Sequence, residues 1–231
     1  MKARHAQVAN VIPFSWVDGP GNRFVLFLQG CNFNCLACHN PQTIPLHTRR
    51  ARELTVSQIL DQIKESMPYI SGVTVSGGEA TVQHEFIAEL FTAIKESDEL
   101  SALTTFIDSN GNASAEVWDQ LAKVTDGVML DLKALDEQRH IELTGNTNSV
   151  VLDSIKHLQK LGKLYEVRLL LIPGINDSDQ QLIDTAVWLK NIDPAMRIKI
   201  NAFKTHGVRA AAKNWPEVCD KDMSRYSAII S

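Results

Sequence analysis

Cys31, Cys35 and Cys38 lie in the stretch CNFNCLACHNP at the spacing C-x3-C-x2-C, and the 231-residue chain has one other cysteine, Cys219. Three thiolates this close can hold a metal centre. A structural zinc ion is closed by four protein ligands. His39 adjoins Cys38, but a ring next to a ligand seldom reaches the same ion, and Cys219 is remote and reads as an incidental thiol. A disulfide leaves one cysteine over. An iron–sulfur cubane normally takes four thiolates, so three leave one iron open to a further ligand. The spacing favours such an open centre, with zinc as the alternative.

A centre of this kind needs a scaffold that brings loops together at one rim. Buried strands are predicted at 24–30, 72–78, 103–108, 127–133, 165–173 and 197–203. Helical stripes alternate with them: Val56, Ile59, Leu60 and Ile63 behind a Thr55/Gln58 capping box; Phe86 to Ile94; Val117, Trp118 and Leu121; and Val151 to Leu158, stopped by Gly162. A Ser178/Gln181 box opens the last, through Leu182, Ile183, Ala186 and Val187. Repeated β-α alternation gives parallel strands with right-handed crossovers. Six strands fall short of the closed eight-stranded barrel of about 250 residues, so the expected fold is α/β, a partial (β/α)6 barrel. Residues 1–207 form that domain, and 208–231 read as a poorly determined tail with a shortened last element. The polar segments SGGE (76–79), DSNG (108–111), Asp131 and Lys133, and His206 all follow strands, and parallel folds bind ligands at that rim.

The totals limit the partners. The chain is 44% hydrophobic and 22% charged with net charge −4, so no global basic field attracts nucleic acid. No apolar run reaches membrane-spanning length, and MKARHAQVANVIPFSW has no signal-peptide core. A cytoplasmic protein is expected, where thiols stay reduced.

With its order and spacing, the motif set resembles the radical S-adenosylmethionine (SAM) superfamily: C-x3-C-x2-C after the first strand, then GGE at the second. IPFSWVDGPGNR, SGGEAT, DSNG, MLDLKA, RLLLIPGIND and NAFKTHG narrow the resemblance to glycyl-radical-enzyme activating enzymes, and nearest to a YjjW-type activase. It runs from about Ile12 to Gly207. Two features depart from the pattern: the ferredoxin-like insertion after CHNP is absent, and Ala37 stands where an aromatic residue is common.

The resemblance implies a [4Fe-4S] cluster on Cys31, Cys35 and Cys38 that reductively cleaves SAM, and a glycyl radical left on a partner enzyme. It implies SAM contacts from Ala37, His39, Gly77, Gly78, Glu79, Ser109, Asp131, Leu132, Lys133, Arg168 and His206. It implies a monovalent cation at Asp108, Ser109, the Met129 carbonyl and Asp131, and contact of Asp18, Gly19, Pro20 and Gly21 with the incoming glycyl loop. Taken alone, GGE and DSNG are turns, a strand-end lysine is solvated, a lone histidine is surface, and Arg168 has Asp131 as an alternative partner. Trp118 and Trp188 read as packing. The run His47-Thr48-Arg49-Arg50-Ala51-Arg52 reads as a solvated linker, with an acidic electron donor of flavodoxin or ferredoxin type as its other possible contact. The rival functions are a radical SAM enzyme acting on a small molecule and a catalytically silent iron–sulfur or zinc protein.

Overall fold

The computed structural model describes residues 4–230. The strands are β1 (His5–Ser15), β2 (Arg23–Leu28), β3 (Arg52–Thr55), β4 (Gly72–Gly77), β5 (Thr104–Ser109), β6 (Gly127–Leu132), β7 (Leu164–Leu171) and β8 (Ile198–Ala202). The helices are α1 (Val56–Ser66), α2 (His84–Glu96), α3 (Ala115–Leu121), α4 (Glu137–Thr144), α5 (Ser149–Lys160), α6 (Asp179–Ile192) and α7 (Asp220–Ile230). The fold is α/β with a mostly parallel open sheet. Among the described residues no helix is long and apolar enough to cross a membrane.

The chain forms two compact units. The first comprises the residues up to Asn32, Gln42–Ser109 and Ala113–Met129. Here β2 pairs in parallel with β4, and β4 with β5. Phe24, Val25, Leu26 and Leu28 of β2 are all fully buried, as expected of a parallel strand covered on both faces. Helices α1, α2 and α3 bury most of the expected stripes, namely Val56, Ile59 and Ile63; Phe86, Ile87, Leu90, Phe91 and Ile94; and Trp118 and Leu121, while Leu60 and Val117 are half-buried. The Thr55/Gln58 capping box forms as expected. Two antiparallel strands were not expected: β1 pairs with β2 on one side and with β3 on the other.

The second unit comprises Phe33–Pro41, Asn110–Asn112 and the chain from Leu130 on. Strand β6 therefore contributes Gly127–Met129 to the first unit and Leu130–Leu132 to the second. β7 and β8 pair in parallel, and α5 buries Val151, Ile155 and Leu158. Helix α6 opens on its Ser178/Gln181 box and buries Leu182, Thr185, Ala186 and Leu189. Ile183 and Val187, assigned to that stripe from the sequence, are 44% and 53% exposed instead.

The tail is more regular than its sequence suggests. Helix α7 packs on α6 and β8 and buries Tyr226 and Ile230. Asp177 anchors it, accepting from the Tyr226 hydroxyl at 2.8 Å and the Arg225 guanidinium at 2.5 Å.

Candidate functional site

Within the second unit, the loop after Asn32 rests on the end of α4. The Asn34 amide donates to Thr144 O at 3.1 Å, and the Leu36 amide to Leu143 O at 2.9 Å. The last carbonyls of a helix have no partner inside it, and here they accept the cysteine loop. Helix α4 is itself delimited by Asp136, whose carboxylate accepts from the Arg139 amide, and by Gly145 at φ 80°. Phe33 is 1% exposed and meets the His140 ring edge-on at 5.6 Å. On its other side the loop meets the segment after β8. His39 Nε2 donates to Lys204 O at 2.8 Å, and Arg209 Nη1 donates to Asn34 O (2.9 Å), Asn34 Oδ1 (2.6 Å) and Cys35 O (3.2 Å).

Cys31, Cys35 and Cys38 are free thiols, half-buried, while Cys219 is exposed. Burial pushes the Cys35 thiol above its ordinary value; the Lys133 ammonium pulls it back, and Cys38 and Asp131 add to the rise. Lys133 is thus electrostatically coupled to a cysteine of the loop. Its Nζ also holds Asp131 Oδ2 at 2.6 Å. Among the described residues, no three His, Cys, Asp or Glu side chains converge on a point that would hold one ion. The three free thiols are the donor type that holds cluster irons.

The first unit carries the other motifs. Gly30 N donates to Thr43 O at 2.8 Å and Cys31 N to Ile44 O at 3.0 Å, fixing the chain just where the cysteine loop begins. The two glycines of SGGE answer to close packing of backbone. A Cβ on Gly78 would lie 2.3 Å from Gly30 O and 2.6 Å from Thr43 O; one on Gly77, at φ 140°, would lie 2.2 Å from Leu28 O. The Gly78 amide donates to Leu28 O at 3.0 Å. Glu79 is 1% exposed. Its Oε1 accepts from the Thr81 amide and hydroxyl and from Ser109 Oγ at 2.7 Å.

Asp108 and Ser109 sit on opposite faces of β5, as successive strand residues must. Asp108 Oδ2 accepts from Ser76 Oγ at 2.9 Å, while Ser109 turns to Glu79. Met129 is fully buried. Two residues before Ser76, on the same face of β4, Thr74 Oγ1 donates to Asp18 O at 2.8 Å. The turn Asp18–Gly21 therefore lies over that face, about 7 Å along the strand from Ser76. Its glycines Gly19 and Gly21 take φ of 139° and 68°, and Ser15 Oγ donates to Asp18 Oδ2 at 2.5 Å. Arg23, fully buried at the start of β2, supports the turn: it donates to Pro20 O, Thr74 Oγ1, Val73 O and both oxygens of Thr104.

The remaining expected site residues fall as follows. Arg168 pairs with Glu166 at 2.7 Å, both buried and two apart on one strand face, while the Asp131 carboxylate is held by Lys133. Leu132 lies on the opposite face of β6 from Asp131 and lines a cavity of about 190 Å³ with Leu169, Leu171 and Leu182, so its side chain belongs to the packing under α6. Ala37 is buried and His206 exposed. Sequence reasoning missed His140 and Arg209. The flanking Asp136 and Gly145 could have disclosed α4 and with it His140; Arg209 had no such signal.

The fold and the loop together define an α/β protein in which free thiols follow a parallel strand. The family model of the Radical SAM superfamily matches residues 25–186. A pyruvate formate-lyase-activating enzyme of Streptococcus mutans is 36% identical over 199 residues, 84% of this chain and 76% of that protein. The crystal structure of a domain of pyruvate-formate lyase-activating enzyme from Bacteroides vulgatus matches with TM-score 0.54 and 21% identity, over 69% of this chain and 92% of that one. Streptococcus suis SuiB bound to precursor peptide SuiA matches with TM-score 0.65 and 20% identity, over 87% of this chain but 43% of SuiB. At such identities the two structures speak for the fold alone. The chain belongs to the radical SAM superfamily, within its glycyl-radical-enzyme activating family. The names of these relatives are silent on the YjjW-type branch.

Proposed function

We propose that this chain activates a glycyl radical enzyme of the pyruvate formate-lyase kind, using SAM and one [4Fe-4S] cluster. The observation that carries this reading is the three-thiol loop, supported from both sides by the protein, in a chain that is 36% identical to a pyruvate formate-lyase-activating enzyme. Cys31, Cys35 and Cys38 would hold three irons. Bound there, the cluster would supply the electron for reductive cleavage of SAM, and hydrogen-atom abstraction would leave the radical on a glycine of the partner. Lys133, coupled to Cys35 and bonded to Asp131, offers a cation to the SAM carboxylate. Gly77, Gly78 and Glu79 shape the strand end where its amino group would sit. Asp108, Ser109, the Met129 carbonyl and Asp131 are assigned a monovalent cation by resemblance alone, since the Asp108 and Ser109 side chains take opposite faces of β5. Asp18–Gly21, lying over the β4 face that leads to Ser76 and Asp108, would receive the glycyl loop. Ala37, His39 and His206 stay in the proposed SAM surround by resemblance. The electron would come from a flavodoxin- or ferredoxin-like protein.

The test is anaerobic reconstitution. The protein should turn brown, hold about four irons, cleave SAM when reduced, and give a glycyl radical signal on a pyruvate formate-lyase. Cys35→Ala should abolish SAM cleavage and leave the fold intact. SAM cleavage with no radical on any such partner would transfer the assignment to a small-molecule substrate. A colourless protein with one tightly held zinc would make it a silent metal protein.

A further inference from the structure

We propose that the basic segment at residues 47–52 is the surface on which an acidic one-electron carrier docks to reduce the cluster. The proposal rests on the activase reading and gives its electron donor a place. His47, Arg49, Arg50 and Arg52 are all exposed. Among the described residues none of these four forms an ion pair; the adjacent Glu53 is engaged by His5 at 3.3 Å. Several other cations do sit on carboxylates, as Lys64 does on Glu99, Arg139 on Glu142 and Arg225 on Asp179. In a chain of net charge −4, an uncompensated cluster of three arginines is a local reversal of sign. A partner drawn to it must present carboxylates.

A run of arginines is more often a solvated face. What separates this one is where the chain fixes it. Gln29, the second residue before Cys31, donates through Nε2 to Gln42 O at 2.9 Å and Pro45 O at 2.6 Å. Gly30 N donates to Thr43 O and Cys31 N to Ile44 O. Leu46 lies directly over Gly30, so close that a Cβ there would meet its Cδ1 at 2.6 Å. Residues 42–46 are thus bonded rung by rung to the three residues that end at the first thiol. Arg49 follows Leu46 by three residues, at most about 11 Å of chain. At its far end the run is anchored again, because Arg52 opens β3 and pairs with Val8 of β1. Between the anchors, Ala51 N donates to Thr48 O at 3.2 Å and Arg50 N to Thr48 Oγ1 at 3.4 Å, closing a turn. The arginines therefore stand on a fixed turn beside the Cys31 end of the loop.

The step itself moves one electron. The reduced carrier, a flavin hydroquinone or a reduced iron–sulfur protein, is oxidised by one electron and the cluster is reduced by one. No bond forms or breaks between the proteins and no proton crosses.

The experiment uses the full chain, reconstituted without air, as wild type, as Arg49→Glu/Arg50→Glu/Arg52→Glu, and as the matching triple Lys variant. Cluster reduction is followed by stopped-flow absorbance with two reductants: dithionite, and a reduced flavodoxin. The expected result is equal rates with dithionite for all three proteins. With flavodoxin at low ionic strength the Glu variant should be slower by about tenfold or more, and the Lys variant close to wild type. The wild-type rate should fall as salt rises while that of the Glu variant does not. Flavodoxin rates that match wild type in size and salt dependence would overturn the docking surface while leaving the activase reading intact. A wild-type protein with no cluster reducible by dithionite would overturn both, and so tells the two failures apart.

Discussion

His140 is fully buried, and its ring lies edge-on to Phe33 in the cysteine loop. Nδ1 faces Asn146 O at 2.9 Å, and a carbonyl only accepts, so Nδ1 carries the proton and Nε2 is the bare nitrogen. That nitrogen is buried with no hydrogen-bond partner among the described residues. Protonation would place a charge there without an acceptor. Burial accordingly holds His140 below its ordinary value of 6.5; the Asn146 carbonyl opposes the shift and Lys133 adds to it. The unfolded chain then binds a proton more readily than the folded one, so this contribution to stability is intact above about pH 6.5 and is lost as pH falls toward the depressed folded value. The urea midpoint should drop between pH 7.5 and pH 5.5, and His140→Gln should shrink the drop; an equal drop in the variant would refute the role. The thiols stood out in the sequence because their residue type carries the chemistry, while Lys133 and DGPG were singled out by resemblance. The support around them was not legible there. The hydrogen bonds of Arg209 to Asn34 and Cys35 join positions 174 or more residues apart, and nothing local marks them.

At the scale of elements, the site depends on how closely backbone segments approach at the ends of β2 and β4. Gly78 shows this most directly: its φ is ordinary, and its constraint is space alone. A Cβ would strike Gly30 O and Thr43 O, both backbone atoms that no rotamer change can move. Gly78→Ala should therefore push apart the segments that set Cys31, at a cost of about 1–3 kcal/mol. The measurement is a lower urea midpoint together with reduced iron content after reconstitution; an unchanged midpoint would mean that the packing yields easily. Strands such as β2 and β4 were readable because burial on both faces makes them continuous apolar runs. β1 was not, since only Ala6 and Val8 on one face are fully buried and Pro13 interrupts it. Four-residue β3 is too short to show a period. Helix α4, EQRHIELT, is mostly polar, and only its caps announce it. Its last carbonyls nevertheless hold the cysteine loop.

For the whole molecule, the arrangement decides how far folding depends on the metal centre. In a small zinc domain the ligands have no other support, and the apoprotein is unfolded. Here each unit has its own apolar core, from Phe24, Leu26 and Phe91 in the first to Ile155, Leu158 and Leu189 in the second. The loop is held by protein as well: Asn34 and Leu36 by α4, Cys35 by Arg209, Cys31 by Ile44. The apoprotein should therefore be folded and cooperative. A cluster bound only by the folded state adds stability through mass action, about 2.7 kcal/mol when available at a hundred times its dissociation constant. For a chain of this size that is a rise in Tm of about 5–10 °C. Iron removal by a chelator under reducing conditions should lower Tm by that amount and leave the far-ultraviolet circular dichroism unchanged. Cys35→Ala, with one thiolate fewer, should melt near the chelated protein whether or not iron is supplied. Loss of the circular dichroism signal on chelation would mean that the centre is a folding nucleus, and the two-sided protein support of the loop would then be too weak to do what the hydrogen bonds suggest.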